Sequence, residues 1–216
     1  MSCWRRIVWV WVATSVALFA IAGCSSDPKP FVPAPVDAKD VFNIAIIGDS
    51  ASAFREGVAY RKLWPSQFVT EALPQSSTLF NLSGRFNTAE RATRRSVPLL
   101  ATVKPAVVVI WLGFDDVAEG IDPTAYAQAV SNIVQSALDA GATTVLVGTL
   151  PAALDGSDPY NAALVRSIGT DATIVDVAAV NTALETQDGR LVPDVESLTR
   201  IAATFANAYR SVTSKA

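Results

Sequence analysis

Ile44-Ala45-Ile46-Ile47-Gly48-Asp49-Ser50 decides how this chain folds. Four apolar residues run without a polar break and stop at Gly-Asp-Ser. Such a run marks a strand buried on both faces, as in a parallel sheet. The following turn lifts a serine hydroxyl from the sheet's carboxyl edge, where open α/β sheets bind ligands. Ser50 is therefore the first candidate site residue. The chain contains no histidine.

Similar runs recur downstream. Strands are predicted over 41–47, 78–82, 106–112, 143–149 and 172–175, the last being the final strand. Ala106 to Leu112, rich in β-branched residues, is the best central strand. Helices fall between them. Trp64 to Leu73 carries Pro65 in its first turn. A helix from about Thr88 to Val103 is bent by Pro98, with Arg91, Arg94 and Arg95 on a solvated face. Asp122-Pro123 caps a helix whose stripe includes Tyr126, Val130, Ile133 and Ala137, and Gly141 stops it. Tyr160 to Ile168 is helical, and Leu198, Ile201, Ala202, Phe205 and Tyr209 mark a final amphipathic helix. Strands alternating with helices imply a single α/β domain, a parallel sheet covered on both faces.

The first 40 residues have a different character. Arg5 and Arg6 precede an apolar stretch of 14 residues, Ile7 to Ala20, short for a membrane span. Ile21-Ala22-Gly23-Cys24 follows and resembles the bacterial lipobox, whose cysteine is acylated and becomes residue one. Residues 1–23 are then a lipoprotein signal peptide. Residues 24–40 are a lipidated cysteine and a tether containing Pro28, Pro30, Pro33 and Pro35. The domain spans 41–213. The expected location is extracytoplasmic, lipid-anchored to the bacterial cell membrane through Cys24.

Cleavage removes Cys3, so no intrachain disulfide is possible. It also removes Arg5 and Arg6 from the 17 basic residues, leaving 15 against 20 acidic ones, a net charge of −5. That balance argues against a nucleic-acid partner. No cofactor is expected, and no metal centre. Histidine is absent, the remaining cysteine is lipidated, and Asp115-Asp116 alone do not make a cation site.

The ordered motifs from about Asn43 to Tyr209 resemble the SGNH (GDSL-type) hydrolase family. Gly48-Asp49-Ser50 is similar to its nucleophile block. Asn81-Leu82-Ser83-Gly84 is similar to the second block, whose glycine lends an N–H to the oxyanion hole. Val107 to Asp116 is similar to the third, a strand followed by Gly-x-Asn-Asp. Val145 to Pro151 and Tyr160 to Ala163 also look like family stretches. The resemblance implies a three-layer α/β/α domain with a flavodoxin-like sheet. It implies ester hydrolysis by an activated serine, with a histidine base oriented by an aspartate in an Asp-x-x-His block before the last helix. An acyl or carbohydrate group is the implied ligand class.

Three departures bear on that chemistry. Asp188 and Asp194 are the two candidate positions for the acid, and they put Leu191 or Ser197 where the histidine belongs. Asp115 stands where the family has asparagine, and an ionised carboxylate only accepts hydrogen bonds. In the second block, an ungapped match puts Phe86 at the glycine, whereas using Gly84 needs a two-residue shift. Two readings follow. In the first, the domain is catalytically impaired and acts as a binding or interaction module. In the second, it is an esterase or acyl hydrolase using Ser50 with a non-histidine base, either Asp188, Asp194, Glu196 or a group from a partner chain. The sequence identifies no protein partner.

Overall fold

The first strand, β1 (Phe42–Gly48), is buried from Ile44 onward, as its apolar run predicts. The computed structural model describes residues 42–74 and 76–214. The signal peptide, Cys24 and the tether lie outside the described residues.

The elements that follow β1 are α1 (Trp64–Ala72), β2 (Ser77–Asn81), α2 (Ala89–Arg95), α3 (Val97–Val103) and β3 (Val107–Trp111). Then come α4 (Phe114–Glu119), α5 (Pro123–Asp139), β4 (Thr144–Gly148), α6 (Ser157–Ile168) and β5 (Thr173–Val175). The chain closes with β6 (Leu184–Gln187), β7 (Arg190–Pro193) and α7 (Val195–Thr213).

Five strands form one parallel sheet in the order β2-β1-β3-β4-β5. The chain leaves β1 toward β2 on one side, then returns to place β3 on the other. The loops after β1 and β3 therefore diverge around a switch point, which is where such sheets make room for a ligand. Ser50 follows β1 and Asp115 follows β3, so both stand at that point. α1 packs against α7, while α5 packs against α2, α3 and α6.

Local sequence accounts for most of this. Asp122 caps α5 by accepting from Thr124 N–H at 2.9 Å and Ala125 N–H at 3.0 Å, and Pro123 supplies a pre-set φ at the first turn. The α7 stripe closes over β3 and β4 through aromatic packing. Phe205 stacks on Trp64 at 4.8 Å between centroids, and Trp111 meets Trp64 edge-on at 5.6 Å. Gly48 ends β1 because nothing larger fits. A Cβ there would lie 2.4 Å from Ser52 Oγ and 2.9 Å from Ser83 Oγ.

Three features differ from expectation. The helix over 88–103 is two helices, α2 and α3, that meet at Ser96, and Pro98 falls in the first turn of α3. The short helix α4 opens directly at the β3 edge. The strand over 173–175 is not the last: β6 and β7 form a separate antiparallel hairpin. Its turn is Asp188-Gly189, both with positive φ (+50° and +75°), the pairing a two-residue hairpin turn requires.

Candidate active site

Asp49 builds the floor of the site. It is fully buried. Its Oδ2 accepts from Gly113 N–H at 2.9 Å and Phe114 N–H at 2.7 Å, with Asp115 N–H at 3.4 Å, and its Oδ1 accepts from Ala51 N–H at 3.0 Å. One carboxylate thus ties the turn after β1 to the first turn of α4, whose own cap residue, Gly113, has no side chain to do so. Burial and the charge of Asp115 push the Asp49 carboxyl well above its ordinary range, against the pull of those N–H groups.

Ser50 sits half-buried above this floor. Its Oγ lies 2.9 Å from Asp115 Oδ2 and 3.0 Å from Oδ1, so the hydroxyl donates to the carboxylate. Its own backbone N–H also points at Asp115, at 3.2 Å. The hydroxyl oxygen accepts the Phe86 N–H at 3.0 Å. Asn87 N–H adds a bond to Asp115 Oδ2 at 2.7 Å. Asp115 is 0% exposed, and Arg190 Nε stands 3.3 Å from its Oδ1 as an ion pair.

These distances decide the register of the second block. Gly84 gives its N–H to Gly48 O at 3.2 Å and does not reach the Ser50 hydroxyl. Phe86 supplies the N–H instead, as the ungapped match has it. It does so with φ +55°, a conformation that a bulky residue adopts at a cost and that glycine adopts freely.

The two candidate acid positions do other work. Asp188 lies in the hairpin turn and pairs with Arg85. Asp194 is the N-cap of α7, accepting from Ser197 N–H at 2.7 Å, and its hydrogen bonds from Ser197 hold its carboxyl below the usual range. Leu191 is 45% exposed. Ser197 is buried and its Oγ accepts from Ala183 N–H at 2.9 Å. Glu196 is a solvent-facing partner of Arg200. The carboxylate within reach of the Ser50 hydroxyl is Asp115.

Arg190 is the site residue that sequence reasoning missed. Its Nη2 donates to Glu119 Oε1 at 3.0 Å, and its guanidinium lies 5.2 Å from the Phe86 ring centre. Glu119 also takes a two-pronged contact from Arg91, at 2.7 and 2.9 Å. Arg91, expected on a solvated face, is therefore part of the site's rim. The available signal was the Asp188-Gly189 pair, which reads as a turn and sets Arg190 immediately after it.

Asp116 faces away from Ser50. Its carboxylate accepts from Ala89 N–H at 3.1 and 3.2 Å and holds the start of α2. Burial, reinforced by Asp115, raises its carboxyl to about 7. Among the described residues, no group of three or more acidic, histidine or cysteine side chains is arranged to hold a metal ion.

A serine raised at the switch point of a five-stranded parallel sheet, with converging backbone N–H groups beside it, defines the SGNH hydrolase fold. The chain belongs to the GDSL-like Lipase/Acylhydrolase family, whose model matches residues 46–212. The fold is similar to that of TesA, at 23% identity and a TM-score of 0.62, over 78% of this chain and 98% of that one. It is also similar to the psychrotrophic esterase EstA from Pseudoalteromonas sp., at 21% identity and a TM-score of 0.64, over 80% and 98%. The acetyl xylan esterase AlAXEase is similar at 17% identity, with a TM-score of 0.61 over 77% and 99%. No curated protein matches the chain.

Proposed function

We propose that this chain is a membrane-anchored lipoprotein whose SGNH domain has lost efficient ester hydrolysis and acts as a binding or interaction module. The observation that carries the reading is the contact between Asp115 and Ser50. An ester's carbonyl oxygen becomes negative when a serine attacks it, and hydrolases surround that oxygen with donors. Here Ser50 N–H is already engaged by the Asp115 carboxylate, and the resemblance to the family's third block gives Asp115 the place of the asparagine donor. The developing charge would meet a hydrogen-bond acceptor where a donor is needed. The chain has no imidazole to take the serine proton.

The anchor rests on Ile21-Ala22-Gly23-Cys24 and the short apolar stretch before it. Among the described residues, no helix is long and apolar enough to cross a membrane. An extracytoplasmic, lipid-anchored module with an acyl or carbohydrate ligand is the form of the proposal.

A second reading has one observation in its favour. Asp115 lies within hydrogen-bond reach of the Ser50 hydroxyl, the geometry a general base needs. Against it, both Asp115 oxygens are already engaged by Ser50, Asn87 and Arg190. A carboxylate is also a poorer acceptor and returner of a serine proton than the imidazole that hydrolases of this kind use. The deciding experiment is hydrolysis of short-chain aryl esters by the wild type and Ser50→Ala. Equal background rates are expected. Turnover that vanishes in the variant would establish the second reading.

A further inference from the structure

We propose that the β6–β7 hairpin is an ionic strap at the rim of the Ser50 site, latched at Arg190, whose tip opens locally and so loosens the two groups that hold the serine hydroxyl. The hairpin has no partner in the main sheet, and a lone two-stranded hairpin is marginal in water. What holds it differs between its two ends.

The base is held by burial. Val192 and Pro193 are buried. The nearly buried Arg55 donates from Nη1 to Pro193 O and to Glu185 Oε1, both at 2.8 Å. Asp194 N–H reaches across to Ala183 O at 2.9 Å.

The tip is held by charge. Arg190 reaches Asp115 and Glu119, Asp188 reaches Arg85, and the one apolar side chain at this end, Leu191, faces solvent. The Arg190 and Glu119 side chains are 21% and 24% exposed, so salt reaches that arm of the latch, while the arm to the buried Asp115 is screened far less.

The latch bears on the serine directly. Two groups hold Ser50 Oγ: the Asp115 carboxylate and the Phe86 N–H. Arg190 pairs with the first and lies over the ring of the second. Releasing Arg190 therefore loosens both walls of the site, while Arg55 keeps the base in place. Arg91 already holds Glu119 through both oxygens, so that carboxylate keeps a partner when Arg190 leaves. This device concerns how firmly the serine hydroxyl is held, and it applies whether or not Ser50 turns over an ester.

Amide hydrogen exchange on the full chain tests it without a substrate. In Arg190→Gln, peptides spanning 184–193 and the peptide carrying Phe86 are expected to exchange about fivefold faster or more, through local opening. Raising salt from ~0.05 to ~0.5 M is expected to move the wild type the same way. Peptides of β1 and β3 should not change. Asp188→Asn, at the exposed turn, is the milder second variant and should show a smaller effect confined to the same peptides. Unchanged hairpin exchange in both variants and in salt would overturn the strap. So would acceleration shared equally by β1 and β3, because the loss would then be global rather than a release of the tip.

Discussion

The hydroxyl of Ser50 donates to the carboxylate of Asp115 at 2.9 Å, across the gap between the ends of β1 and β3. That contact turns a nucleophile position into a closed hydrogen-bonded pair. Asp115→Asn tests what the pair is for. Asparagine offers an N–H donor where a carboxylate only accepts. Loss of a single such donor costs other enzymes about 10²–10³ in turnover. Labelling of Ser50 by a fluorophosphonate should therefore accelerate by about tenfold or more in Asp115→Asn. A slower reaction would identify Asp115 as the base that activates the serine.

Asp49 accepts four backbone N–H groups from two chain segments while fully buried. Asp49→Ala leaves those donors without partners and detaches α4 from the β1 turn. Unfolding in urea should show a loss of about 2–4 kcal/mol, the range for a broken buried network. A loss under about 0.5 kcal/mol, as surface substitutions give, would contradict this role.

Asp116 makes stability depend on pH. Burial raises its carboxyl in the folded chain to about 7, above the unfolded reference of about 3.9. The folded state thus binds a proton that the unfolded state releases. The resulting stabilisation is complete below about pH 4 and is lost as pH rises through about 7. Asp49, also raised, contributes with the same sign, while Glu119 and Asp194, both lowered, act with the opposite sign at more acidic pH. Thermal melts of the wild type should fall between pH 5 and 8, and Asp116→Asn should flatten that fall. An equally steep profile in the variant would remove Asp116 as its source.

The anchor is tested at one residue. Cys24→Ala removes the acylation target that Ile21-Ala22-Gly23-Cys24 presents. The expected outcome is loss of lipid incorporation and a changed distribution between membrane and soluble fractions. Membrane retention equal to the wild type would count against a lipid anchor.

Much of the architecture was legible because it is written in period and punctuation. Ile44 to Gly48 and Val107 to Trp111 are buried strands, and their apolar runs admit little else. Asp122-Pro123 starts α5 and the Leu198-to-Phe205 stripe faces the core. The hairpin was not legible as strands. Leu184 to Gln187 and Arg190 to Pro193 are four residues each, too short and too polar for an apolar run, and only Asp188-Gly189 signalled a turn. The break at Ser96 was similarly masked, since a bent helix and two abutting helices share one pattern around Pro98.

For Ser50 the division is sharper. The sequence by itself determined that a serine follows the first strand, that no histidine exists to serve it, and that a pair of aspartates follows the third strand. All three are matters of residue identity and order. Only the tertiary structure decided where those residues meet. It gave Gly84 N–H to Gly48, brought Phe86 N–H to the hydroxyl, sent Asp188 and Asp194 to a turn and a cap, and laid Arg190 beside Asp115. The reason is physical. A hydrogen bond near 3 Å between residues 65 positions apart depends on strand order and on the exact path of three loops, and no local pattern in the chain encodes that path.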